Sequence, residues 1–131
     1  MTELTPAQRE FLGNPYIGVA TTLRPDGSPH STVVWVDVDD DGVSFNTAWP
    51  RAKPRHLAAD PRVSLVVSDP NDELRWLGIT GTATLVDEGA NDQIDRLARK
   101  YRGHDSYQSH REGETRVTVR ISPTWIESRR V

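Results

Sequence analysis

Turn-forming clusters punctuate this chain more strongly than any other pattern, and they restrict it to short strands joined mostly by hairpins. Pro25-Asp26-Gly27, Asp39-Asp40-Asp41-Gly42 and Asp69-Pro70-Asn71-Asp72 combine proline or glycine with side chains that bond their own backbone. Between and around them lie runs rich in β-branched residues: Tyr16–Thr22, about Ser31 to Val38, Val43–Ala48, Arg62–Ser68 and Trp76–Val86. In the last run Leu77, Ile79, Gly81, Ala83 and Leu85 share one face and Thr80, Thr82 and Thr84 the other, as in a long half-buried strand. Gly78 and Gly81 lie within that strand, so they mark a bend or a close backbone approach and not a dinucleotide loop. The three adjacent aspartates lack the further ligands and spacing of a calcium loop and read as turn residues.

Three helices interrupt the strands. Thr5 and Gln8 around Pro6 form a capping box that starts a helix through about Leu12. A short helix is expected from Pro54 to Ala59, ended by Asp60-Pro61. Ala90, Ile94, Leu97, Ala98 and Tyr101 recur at helical spacing up to Gly103, which predicts an amphipathic helix over Ala90–Arg102. After a polar stretch, Val117, Val119 and Ile121 alternate with Arg116, Thr118 and Arg120 in a final strand that Pro123 is expected to break and Thr124–Glu127 to resume. The predicted architecture is mainly β: a six- to seven-stranded antiparallel barrel with peripheral helices, in one domain over residues 1–131.

Composition removes several function classes. The absence of cysteine excludes disulfides, thiolate chemistry and cysteine-ligated metals. His30, His56, His104 and His110 have no spacing that predicts a metal site. A net charge of −3 does not suit a nucleic-acid or membrane-surface partner. No apolar run is long enough to span a bilayer, and the acidic start Thr2–Gln8 does not resemble a secretory signal, so a cytoplasmic location is expected.

Against that acidic background, Arg51-Ala52-Lys53-Pro54-Arg55-His56 reverses the local sign at a strand-to-helix junction. Cationic side chains and free helix N–H groups can converge there on one anion, which makes the segment a candidate phosphate clamp; the plain alternative is a solvated basic loop. Arg51 and Lys53 face the anion whether the segment is extended or helical, whereas a helix from Pro54 turns Arg55 away. Asn46 and Thr47, at the end of the preceding strand, offer amide and hydroxyl groups to the same ligand. Trp49 and Trp76 could pack against it or against the core, while Trp35 and Trp125 read as core. No nucleophile–base pair or paired carboxylates are evident, so any catalysis would rest on a bound cofactor.

The run Trp49–Val63, together with Ile17–Thr22, Pro25–His30 and Gly78–Ala83, resembles the split β-barrel proteins related to pyridoxamine 5′-phosphate oxidase. The resemblance is to the FMN-binding split barrel type, and within it to the short actinobacterial branch of reductases that use coenzyme F420. It implies a homodimer with cofactor sites at the subunit interface and a small organic acceptor as substrate. It further implies that Arg51, Ala52 and Lys53 bind the cofactor phosphate, with Arg55 beside them. Ser31, Thr32, Val33, Asn46 and Thr47 would line the ring and ribityl chain, and Trp76 would approach from the partner subunit. Hydride would pass directly between deazaflavin and acceptor without a dedicated catalytic residue. The ending Ile126–Val131 lacks the arginine and histidine pattern of the oxidases proper, which argues against pyridoxamine phosphate as substrate. FMN is the alternative cofactor, since it presents a phosphate and a tricyclic ring to the same clamp. A carrier without turnover is the alternative function.

Overall fold

The computed structural model describes residues 2–131. Seven strands, β1 (Gly18–Leu23), β2 (Pro29–Val34), β3 (Val36–Asp39), β4 (Gly42–Trp49), β5 (Arg62–Asp69), β6 (Asp72–Val86) and β7 (Thr115–Arg129), form one sheet in the order β2-β1-β5-β6-β7-β4-β3. All neighbours are antiparallel. The two edges, β2 and β3, are consecutive in the chain and separated by Trp35 alone. Residues two apart cannot stand more than about 7 Å apart, so the sheet has to curl until its edges meet. No backbone ladder joins those edges, and the barrel is split there.

This corner replaces the single strand expected from about Ser31 to Val38. Its backbone is satisfied from helix α3 (Ala90–Arg102): the Val36 N–H donates to Tyr101 Oη at 2.9 Å, and Lys100 Nζ donates to Val36 O at 2.7 Å. Lys100 also donates to Leu12 O at 2.7 Å, which anchors the end of helix α1 (Pro6–Leu12). The capping box at Thr5 and Gln8 is present on α1. Gly103 ends α3 in the left-handed region at φ 72°, as the sequence suggests. Phe11, Leu12, Phe45, Leu65, Leu77 and Ile79 fill the interior at 2 % exposure or less, each worth about 1.5–3 kcal/mol of burial.

Strand β7 runs unbroken through Pro123. Thr80 pairs with Trp125 and Gly81 with Pro123, so Thr124 is an extra residue and the proline is absorbed in a bulge. Trp125 is 57 % exposed, because the alternation that buries Ile126 turns its neighbour outward. The expectation that Trp125 and Trp35 are core residues is therefore corrected: Trp35 sits at the open corner, where its ring stacks on Tyr101 at 5.4 Å. Arg116 and Thr118, which alternate with the apolar residues of β7, are buried as well, and Thr118 donates to Gln93 of α3.

Burial lowers the Lys100 pKa to about 8, and Asp37 opposes the shift. Between that value and the 10.5 of an unperturbed lysine, the unfolded chain holds the proton that the folded chain releases. Lys100 therefore adds stability as pH rises through this window and withdraws it as pH falls back toward 8. Lys53 acts in the same direction, while Tyr101, whose pKa is raised by burial, opposes both above its ordinary value. Urea midpoints at about pH 7.5 and 9.5 are expected to rise less in Lys100→Met than in the wild type. Equal rises would remove Lys100 as the cause.

Candidate functional site

Strand β4 and helix α2 (Ala52–Ala59) build the site. The helix begins at Ala52, two residues before the expected start, with Arg51 as its N-cap in extended geometry. Pro54 consequently occupies the third helical position, where its missing N–H still costs no hydrogen bond. The Ala52 and Lys53 N–H groups are left without intrahelical partners in this first turn. Arg55, one turn after Arg51, points back along the helix and its Nε donates to Arg51 O at 3.2 Å.

Next to this junction lies a cavity of about 410 Å³. Val33, Asn46, Thr47, Arg51 and Lys53 line it, so the structure brings together five of the residues expected from sequence. Ile17, Val34, Trp35, Ile94 and Leu97 add apolar groups to its lining. Thr32 reaches the clamp through Lys53, whose Nζ donates to Thr32 Oγ1 at 2.9 Å. Ser31 points outward and exchanges a hydrogen bond with Thr21 at 2.8 Å. Arg55 borders a separate depression with Arg24, His56 and Arg62. Trp76 does not line this cavity.

Asn46 plays a different part from the one its sequence position suggests. Its amide nitrogen donates to Ala90 O at 2.8 Å and to Gln93 Oε1 at 2.9 Å, and its oxygen accepts from Arg116 Nε at 2.9 Å. With those polar atoms committed to α3 and β7, Asn46 stiffens the wall instead of offering its amide to a ligand. Gln93 continues the network to Ser44 and accepts from Thr118 at 2.9 Å.

Two residues that the sequence reading missed complete the charged end. Arg116 is buried, donates through Nη1 to Glu114 Oε1 at 2.7 Å, and lies with its guanidinium carbon 4.9 Å from the Tyr107 ring centroid. Glu114 accepts from Arg51 Nη2 at 2.9 Å through its other oxygen. Burial would raise the Glu114 carboxyl, but Arg116 and Arg51 outweigh it and hold it below the usual range. The only local signal was an arginine at an alternate position on β7, indistinguishable there from a solvated side chain.

Burial, with the neighbouring charges of Arg51 and Arg116, lowers the Lys53 pKa. Thr47 Oγ1 is buried without a hydrogen-bond partner among the described residues, a position that costs about 1–3 kcal/mol unless something else supplies the bond. Excess positive charge, an orphaned hydroxyl and an apolar wall in one cavity fit a ligand that joins an anionic group to a flat, largely apolar ring.

Residues 4–130 match the family model described as pyridoxamine 5′-phosphate oxidase. A solved structure titled F420 reductase is 25 % identical with a TM-score of 0.79, over 95 % of this chain and 98 % of that one. A conserved hypothetical protein from Mycobacterium tuberculosis is also 25 % identical, with a TM-score of 0.75 over 98 % of this chain and 86 % of its own. The heme storage protein HutZ from Vibrio cholerae shares the fold at 16 % identity and a TM-score of 0.68, covering 97 % of this chain and 95 % of that one.

Proposed function

Because this chain belongs to the pyridoxamine 5′-phosphate oxidase family, we propose that it is an F420-dependent oxidoreductase passing a hydride between the reduced deazaflavin and a small organic acceptor. The carrying observation is that one cavity is lined both by Arg51, Lys53 and Arg116 and by the apolar side chains of Ile17, Val33, Val34, Ile94 and Leu97. Similarity to the F420 reductase supports deazaflavin over FMN.

In this reading Arg51, Lys53 and the free N–H groups of Ala52 and Lys53 hold the phosphate. Thr32 keeps Lys53 in place, Thr47 supplies a hydroxyl, and Val33 borders the ring. The cofactor supplies the hydride chemistry, and the protein binds, orients and keeps water from the ring. A homodimer belongs to the same proposal. Val33, Val19 and Val66 pair across β2, β1 and β5, forming an exposed apolar row that starts at the cavity rim and suits a second copy. That partner would bring Trp76 to the ring.

Fluorescence titration with F420 and FMN tests the cofactor. Saturable F420 binding, followed by oxidation of reduced F420 with a quinone or enone, is the expected result. Tight FMN binding without a response to F420 would overturn the choice of cofactor, and binding without turnover would leave a carrier. Trp76→Ala is expected to weaken F420 binding, and unchanged affinity would remove that residue from the site.

A further inference from the structure

We propose that Arg116 is the third cation of the anion site, and that a phosphoryl group sits among Arg51, Lys53 and Arg116. The inference rests on the reading of the cavity as a site for a phosphorylated ring cofactor, and it adds to that site a residue from a different part of the chain. Arg116 lines the cavity although its side chain is only 4 % exposed. Nε and Nη1 are spent on Asn46 and Glu114, whereas Nη2 has no hydrogen-bond partner among the described residues. The guanidinium is thus fixed on two edges, with the Tyr107 ring alongside.

The charges do not balance. Arg51 and Arg116 share a single carboxylate, Glu114. Buried cations are costly unless paired, and an arginine held only for structure would need no further cations around it. Lys53 has a hydroxyl partner and no carboxylate among the described residues. A bound phosphoryl group supplies the missing negative charge and accepts hydrogen bonds from all three side chains. Glu114 then acts as a positioning residue, aligning Arg51 and Arg116 with its two oxygens.

The test measures what the phosphoryl group adds to binding. Dissociation constants are compared for riboflavin against FMN, a monoester, and for F420, a diester, against its phosphate-free deazaflavin alcohol. Arg116→Met is expected to reduce the advantage of the phosphorylated compound about ten- to a hundredfold in whichever pair the wild type binds, leaving the phosphate-free form within about twofold. A general disturbance of the fold would move both forms together. Arg116→Lys, which keeps the charge but not the planar fork, is expected to reduce the advantage by a smaller factor than Arg116→Met. It decides the matter alone if Arg116→Met does not fold. An unchanged phosphoryl advantage in both variants, with F420 or FMN still bound, overturns the role of Arg116 and leaves the proposed function standing. If none of the ring compounds binds, inorganic phosphate serves as the probe. Thermal stabilisation of the wild type that is lost in Arg116→Met supports the anion site without the cofactor, and no stabilisation of the wild type rejects both.

Discussion

Gly81→Ala is expected to lower stability by about 3 kcal/mol and the Tm by about 10 °C. A Cβ built on Gly81 would stand 2.2 Å from Ser122 O, 2.9 Å from Ser122 C and 3.0 Å from Pro123 Cα. All three atoms are backbone, so no side chain can rotate to make room. The contact lies at the bulge where β7 takes in Thr124 opposite β6. Relief would require the two longest strands to separate in the middle of the sheet. Gly78 is the control, because its Cβ would approach the Trp76 ring at 3.3 Å and that side chain is free to shift. Gly78→Ala is expected to cost less than about 1 kcal/mol. Paired thermal melts decide the comparison: an equal or larger loss at Gly78 would show that the bulge contact does not dominate.

That contrast indicates what was legible in the sequence. Both glycines could be placed inside a strand and tied to a bend or close approach, because glycine in a strand has few other reasons to be there. Which of them touches backbone depends on the register with β7, and register across distant strands is not written in either segment. Pro123 shows the same limit: locally it ends a strand, yet a bulge leaves its absent N–H unneeded and the ladder resumes. Local signals performed best where their physics is local, as with the capping box at Thr5 and the left-handed Gly103 after α3.

The candidate site divides along the same line. Arg51 and Lys53 could be placed together because their charges cluster within one segment at a strand-to-helix junction, and both line the cavity. Arg116 lies far along the chain and reaches the same cavity, with Glu114 bonded to it, only through the pairing of β7 with β4, where Arg116 stands opposite Ala48. A charged residue alternating with valines predicts solvent, and only α3 lying over that face reverses the inference. Trp35 failed in the opposite way. Its β-branched neighbours suggested a core position, but the split of the barrel falls at Trp35 and leaves its ring beside the cavity.

Lys53→Ala is expected to weaken cofactor binding about ten- to a hundredfold, a loss of roughly 1.5–3 kcal/mol for one charge-assisted hydrogen bond. Its Nζ is held by Thr32 Oγ1 at 2.9 Å, so little ordering is left to do when an anion arrives. The same residue predicts a pH dependence of known sign. Burial, then Arg51 and Arg116, depresses the Lys53 pKa in the ligand-free protein, while a bound phosphate would favour the charged form and raise it. Binding therefore draws a proton onto Lys53, and affinity is full below the depressed pKa and declines as pH rises through it. Lys53→Arg, which cannot lose its proton in this range, is expected to flatten that decline while retaining much of the affinity. Lys53→Ala should be weak and flat. Affinity unchanged by the alanine substitution, with the alkaline decline intact, would return the basic segment to the plain reading of a solvated loop.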